Sequence, residues 1–224
     1  MDGFVPVAGP FEDDPNVRLL CEPPSNDPFA PPPLPFGWSD WPRDMDEAAF
    51  LAFLETRPDD EKWELWDGVP RMMNPPSWRH QSVASRMVSL LDDHFYDRDD
   101  SYMALHEVGL RIGKHPTFRP EPDFAVLERG EEGDPYFNRF ILAGEVLSPS
   151  NTYGEIATKV ERYRDHPDCR YVLVLEQHEP SLVLHTRGNE WTERTIFGAD
   201  AVLELPTFSF SVRLSSIYRR VIGS

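Results

Sequence analysis

Apolar positions along this chain change period several times, and each change marks an element. Ala49, Phe50, Phe53 and Leu54 follow helical spacing after Asp44-Met45-Asp46-Glu47, which reads as a capping box with a carboxylate cap. Pro58 ends that helix. Trp63-Glu64-Leu65-Trp66 alternates like a strand, Asp67-Gly68 is a hairpin signal, and Val69 to Met73 is the returning strand, stopped by Asn74-Pro75-Pro76. From Ser77, Val83, Met87, Leu90 and Leu91 predict a helix to about His94, followed by an acidic turn with Asp92, Asp93, Asp97, Asp99 and Asp100. Strands are expected at Tyr102–Ile112 and Glu121–Leu127. The nearly unbroken apolar run Arg139–Leu147 reads as a strand buried on both faces. A helix follows over Thr152–His166, then a second buried strand at Tyr171–Leu175. Shorter strands are expected at Ser181–His185, Trp191–Phe197 and Ala201–Leu205, and a short helix over Leu214–Val221. The crossover between 147 and 171 is helix-length, so the strands it joins should be parallel. The fold class is therefore α/β (α+β): a mixed sheet flanked by helices, with extra hairpins.

Residues 1–43 break this pattern. They hold 11 of the 23 prolines and seven acidic residues against two basic ones. Proline removes backbone donors and disfavours helices and central strands, so an extended arm is expected, with the folded domain over 44–224. The arm is either an unstructured leader or a strap along its own domain or a partner subunit, anchored by Phe29, Phe36, Trp38 and Trp41; a homodimer is the expected assembly.

Hydrophobic residues make up 40% of the 224, and 14 Phe and 6 Trp can build a sizeable core. There is no membrane-length apolar run and no secretory n-region or h-region at Met1-Asp2-Gly3-Phe4, which leaves a cytoplasmic protein as the expectation. Cys21 and Cys169 read as two reduced thiols. The net charge of -17 opposes non-specific attraction to nucleic acid, although a bound cation or a local basic rim can reverse the sign where it matters.

Candidate chemistry gathers between Pro122 and Tyr163. Asp123 opens one predicted strand and Glu145 lies near the end of the next. Magnesium takes hard oxygen ligands and keeps several waters, so two carboxylates from neighbouring strands, with the Val146 carbonyl, suffice for a Mg2+ or Mn2+ site. Lys159, one of only three lysines, stands on the following helix, where an ammonium can orient an attacking water and offset transition-state charge. Glu155, Lys159 and Tyr163 recur every four residues and should share a helix face. The plainer alternatives are a solvated strand-end glutamate and an ordinary i,i+4 Glu–Lys pair. Arg79, Arg86, Arg111, Arg119, Arg162 and Arg164 are candidates for a basic rim or, alternatively, dispersed arginines paired with carboxylates. The histidines other than His80 have no ligand spacing, and no phosphate-cradling Gly loop, nucleophile elbow or zinc-type Cys pairing is present.

The ordered succession Glu64-Leu65-Trp66-Asp67-Gly68, Pro75-Pro76-Ser77-Trp78-Arg79-His80, Arg119-Pro120-Glu121-Pro122-Asp123, Glu145-Val146-Leu147-Ser148-Pro149-Ser150, then Lys159 and Tyr163, resembles the Uma2 family, the DUF820 group related to the PD-(D/E)XK restriction endonucleases. The resemblance spans roughly residues 44–190. It implies a restriction endonuclease-like sheet, Asp123 and Glu145 as metal ligands, and phosphodiester hydrolysis of nucleic acid, DNA before RNA. The parent pattern has lysine two residues after the glutamate; here that position is Leu147, and the resemblance moves the lysine role to Lys159. It also assigns supporting roles to His80 and Glu64. Glu155 and the Tyr171–Glu176 segment depart from the family pattern. Two other function classes remain open at this point: a non-catalytic dimerising or partner-binding module, suggested by the acidity and the arm, and a metal-dependent hydrolase of a small phosphorylated substrate.

Overall fold

The computed structural model describes residues 43–98, 101–130, 135–149 and 152–221. The Pro-rich arm, Cys21, Asp99 and Asp100 lie outside the described residues, so the domain boundary stays an expectation. Helix α1 spans Glu47–Leu54; its cap is Asp46, whose carboxylate accepts from the Ala49 N–H at 2.8 Å, two residues later than the capping-box pattern places it. Strands β1 (Trp63–Trp66) and β2 (Val69–Met72) pair as a hairpin, and Asp67 and Gly68 at its tip both have positive φ, as a type I′ turn requires.

Helix α2 runs from Trp78 to Arg98. It is about one turn longer than expected because Phe95, fully buried, extends the apolar face of Val83, Ala84, Met87 and Leu91. Asp92, Asp93 and Asp97 therefore lie on the helix rather than in a turn. The expected strand over 102–112 is two: β3 (Tyr102–His106) and β4 (Gly109–Leu110). Glu107 takes φ +46 between them, and β4 leaves the main sheet to pair in parallel with β6 (Tyr136–Phe137). The next strand, β5, is Phe124–Glu128, shorter at its start than expected because Pro120 and Pro122 cannot donate to a ladder. After β7 (Leu142–Val146) come α3 (Tyr153–Asp165), β8 (Tyr171–Leu175), β9 (Ser181–Arg187), β10 (Trp191–Phe197) and β11 (Val202–Leu205). A 3-10 turn at Pro206–Phe208 and a strand the sequence did not reveal, β12 (Phe210–Arg213), precede the single-turn helix α4 (Leu214–Ile217), which stops well short of Val221.

The main sheet has six strands in the order β10-β9-β8-β7-β5-β3. Only β7 and β8 in it are parallel, and α3 is their crossover, as the loop length requires. Side chains alternate across the sheet. Leu142, Val146, Leu173 and Leu175 face α2, β11, β12 and α4, whereas Ala143, Val172 and Val174 face α3 and the β1 layer. Both faces are covered, which is why β5, β7 and β8 are buried almost throughout.

Gly144 shows how closely the central strands are fitted. A Cβ there would stand 2.1 Å from the Phe124 ring on the paired strand, and Phe124 is fully buried. Gly144→Ala is expected to lower stability by about 1–3 kcal/mol through overpacking, read as a fall of several degrees in Tm; an unchanged Tm would mean that the ring has room to move.

Candidate active site

The site forms where β5 begins and β7 ends. The register Phe124↔Gly144 continues to set Asp123 beside Glu145 on neighbouring strands. Asp123 Oδ2 accepts the Val146 N–H at 2.6 Å, so the backbone of β7 holds the carboxylate in place. The alternation of β7 then sends Glu145 to the α3 side. On α3, Ile156, Lys159, Val160 and Tyr163 form the buried face. Tyr163 donates its hydroxyl to Glu145 Oε1 at 2.6 Å, and Lys159 Nζ lies 3.1 Å from the same oxygen.

Lys159 bridges two carboxylates, its Nζ also standing 2.7 Å from Glu64 Oε1. Glu64 is anchored in turn: Oε2 accepts the Trp66 indole N–H at 2.8 Å and Oε1 accepts the Glu121 N–H at 2.7 Å. Glu64 therefore serves Lys159 rather than facing Asp123. From the opposite face of the sheet, α2 brings His80, whose Nε2 is 3.1 Å from Asp123 Oδ2 and also hydrogen-bonds the Val146 carbonyl. The helix start is fixed by Ser77, which accepts the His80 N–H at 3.2 Å and donates to Gln177 at 2.6 Å, just beyond the end of β8. The structure thus brings together Asp123, Glu145, Lys159, His80 and Glu64, all of them buried.

Charge sets the chemistry. Three buried carboxylates, on Glu64, Asp123 and Glu145, meet one lysine and one histidine. Burial raises the Glu145 carboxyl above its usual range, and Asp123 and Glu64 add to that while Lys159 opposes it. For Lys159, burial disfavours the ammonium, but Glu145 and Glu64 outweigh burial and hold its pKa above the ordinary value. Burial pulls the His80 imidazole down; its hydrogen bond to Asp123 and the charges of Asp123 and Glu145 leave it raised overall. The lysine is firmly charged, and the excess that remains is negative.

Among the described residues, no group of three or more His, Cys, Asp and Glu side chains is arranged as a metal site. The reason is visible in the geometry: Glu64 is drawn to Lys159, which leaves Asp123 and Glu145 as the carboxylate pair. The oxygens available are those two side chains and the Val146 carbonyl, toward which His80 already directs a donor. Hard oxygens with uncompensated negative charge fit Mg2+ or Mn2+. At this site the buried His80 Nδ1 has no hydrogen-bond partner among the described residues.

Nothing in the sequence marks Glu121, although it lies between the two prolines of Pro120-Glu121-Pro122-Asp123. Burial, then Glu64, pushes its carboxyl up to about 7. The folded protein therefore holds more protons than the unfolded chain between the ordinary 4.5 and about 7, and stability falls as pH rises through that window. Glu121→Gln should raise the urea midpoint at pH 8 relative to the parent and not at pH 4, flattening the profile between; equal profiles would show that the carboxyl titrates normally. Tyr163 stands out in the sequence by its spacing and by its place in the resemblance, and its hydroxyl donates to Glu145.

The other candidates fall elsewhere. Glu155 completes a capping box with Thr152 and pairs with Arg71 at 3.0 Å, away from Lys159's partners. Arg111 and Arg119 both hold Glu47, and Arg162 contacts His115 and Asp67, so these arginines tie elements together rather than forming a rim. Arg79 lies over the exposed Trp78 ring and Arg164 over Trp191. His106 lines, with His80, Glu107 and Asp123, a surface pocket of about 200 Å3 that leads to the carboxylates. Cys169 is buried, with its thiol pushed up to about 12 by burial, which suits a structural role.

The described fold is thus a six-stranded mixed sheet with carboxylates at adjacent strand ends and a lysine on the crossover helix. The sequence model of the Uma2 family, described as "Putative restriction endonuclease", matches residues 48–215, and the chain belongs to that family. A solved structure with the same fold is that of "a putative nuclease belonging to DUF820" from Anabaena variabilis ATCC 29413. Its TM-score is 0.63 at 16% identity, over 75% of this chain and 96% of that one. No curated protein matches. Among the described residues, no helix is long and apolar enough to cross a membrane.

Proposed function

We propose that this chain is a Mg2+- or Mn2+-dependent endonuclease that hydrolyses phosphodiester bonds of nucleic acid, DNA before RNA, in the cytoplasm and as a homodimer. The observation that carries the reading is the side-by-side placement of Asp123 and Glu145 on adjacent strands, with Lys159 bonded to Glu145. The family's description and that of the Anabaena protein support it. Asp123, Glu145 and the Val146 carbonyl would hold the cation. When bound, it supplies polarisation of a phosphoryl oxygen and a lower pKa for its water.

The chain's own residues do the rest. Lys159, charged because two carboxylates flank it, is placed to orient an attacking water and to offset charge developing on the phosphoryl group. Tyr163 and Lys159 together fix the rotamer of Glu145. His80 Nε2 stands 3.1 Å from Asp123 Oδ2, and its place in the wall of the pocket suits it to meet a substrate phosphate.

The test incubates the protein with single- and double-stranded DNA and RNA in Mg2+, Mn2+ or EDTA, beside Asp123→Asn and a Lys159 variant that remains folded. Cleavage that requires metal and disappears in both variants is expected. Cleavage that survives both would sink the assignment. The net charge of -17 favours a second reading, a small phosphorylated substrate for the same site. That reading predicts metal binding without cleavage of any polymer. Absence of both would favour the non-catalytic module.

A further inference from the structure

Among the described residues, a surface pocket is lined by arginines alone. Arg86, midway along α2, and Arg219 and Arg220, just after α4, line this pocket of about 260 Å3. Several arginines elsewhere are paired with carboxylates: Arg71 with Glu155, Arg111 and Arg119 with Glu47, Arg139 with Glu128 and Asp168. No carboxylate among the described residues pairs with Arg86, Arg219 or Arg220. With 39 acidic residues against 22 basic ones, partners are abundant, yet three guanidiniums repel one another here.

The three are held in place rather than loosely gathered. Arg86 donates Nε to the Ser216 carbonyl at 3.1 Å, which fixes the guanidinium against α4. Arg219 and Arg220 form the turn between two buried anchors, Tyr218 and Val221. The Tyr218 hydroxyl reaches the Glu176 carbonyl at 2.7 Å and the Ser181 carbonyl at 2.8 Å, and the Val221 N–H donates to the Tyr218 carbonyl at 3.0 Å. Arg220 takes φ +70, a left-handed conformation that a non-glycine residue keeps only where its surroundings impose it.

The pocket also stands in a useful place. Glu176 follows the end of β8, and β8 is parallel to β7 with Leu175 opposite Val146. Tyr218 therefore ties the arginine turn to the same edge of the sheet that carries Glu145 and Asp123. Arg86 is six residues beyond His80 on α2, a rise of about 9 Å, or the axial span of roughly three phosphates on one strand of a duplex.

We propose that Arg86, Arg219 and Arg220 form a binding site for a backbone phosphate of the nucleic-acid substrate, flanking the scissile phosphate at the carboxylate centre. The site rests on the nuclease reading for its substrate but not for its anion chemistry. Guanidinium forks match phosphate oxygens bidentately and stay charged at any working pH. The pocket supplies, locally, the cations that the overall charge denies.

The test compares the full-length protein with Arg219→Ala/Arg220→Gly, in which glycine keeps the left-handed turn, and with Arg219→Lys/Arg220→Lys. Binding of a fluorescent DNA duplex in EDTA is followed across a salt series, and inorganic phosphate is titrated as a thermal-shift ligand. The first variant should bind DNA about 10-fold more weakly, with a log–log salt slope smaller by about 1 for each phosphate that the replaced arginines neutralise in the parent. The lysine variant should retain most of the slope, which separates missing charge from a disturbed fold. Phosphate should raise the parent Tm more than that of the first variant. Equal DNA affinity and slope in parent and first variant would overturn the proposal, whatever the phosphate titration shows. A phosphate response without any DNA effect would overturn it in favour of a small phosphorylated ligand. No DNA binding by the parent would overturn it equally. If DNA binding depends on the arginines while no substrate is ever cleaved, the phosphate site stands and the nuclease reading falls. Metal-dependent cleavage with arginine-independent binding is the converse.

Discussion

Replacing Lys159 by alanine is expected to lower stability by about 3–5 kcal/mol at neutral pH, the usual cost of leaving buried charges without their partner. For a chain of this size that corresponds to a drop of roughly 10 °C in Tm. Lys159 is buried and bonded to both Glu64 and Glu145, and no other cation reaches that pair among the described residues. The sign with pH follows from the direction of its shift. Its folded pKa is raised, so its stabilisation is fully present below the unfolded lysine value and is lost only as pH climbs through the folded one. In the variant, Glu145, whose carboxyl burial already raises, must instead take up a proton to stay buried. The difference between variant and parent should therefore shrink as pH falls from 8 to 5. Urea unfolding at both values checks this. A small, pH-independent difference would show that the ammonium does not hold the carboxylates. Lys159→Met, closer in volume, separates the charge effect from the cavity that alanine leaves.

Asp123→Asn is expected to leave the fold nearly intact and to reduce metal-dependent cleavage by about 10²–10³-fold or more, the scale of losing one group that stabilises transition-state charge. The asparagine carbonyl can still accept the Val146 N–H, so the start of β5 should hold. What disappears is the negative charge. His80 then loses the main partner that opposes its burial, and its pKa should fall, an effect visible by NMR titration of the imidazole without any activity measurement. An unshifted His80 in a folded variant would mean that Asp123 and His80 do not interact in solution.

Much of the framework was legible because local pattern and tertiary demand agree. The Trp63–Met72 hairpin, the 78–98 helix and the parallel β7–α3–β8 unit each have a period or a turn that only one arrangement satisfies. The breaks were not legible. Nothing in the sequence marks Glu107 as the left-handed residue that splits β3 from β4, and β12 is too short to show alternation. Asp123, Glu145, Lys159, His80 and Glu64 stood out through their strand-end and helix positions and through the resemblance to Uma2. Their division of labour did not. That Glu64 supports Lys159, that Tyr163 bonds Glu145 and that the half-buried Glu121 lies beside them all depend on pairings between residues 18 to 95 positions apart. The same holds for Arg111 and Arg119, which meet Glu47 only in three dimensions.

The central claim is that the negative excess around Asp123 and Glu145 is a divalent-cation site. Calorimetric titration of Mn2+ into EDTA-stripped protein at pH 7.5, parent beside Asp123→Asn, tests it most directly. The account predicts saturable binding in the parent that is lost in the variant, with Mg2+ competing for the same site. Absence of binding in the folded parent, or equal binding in the folded variant, would contradict it.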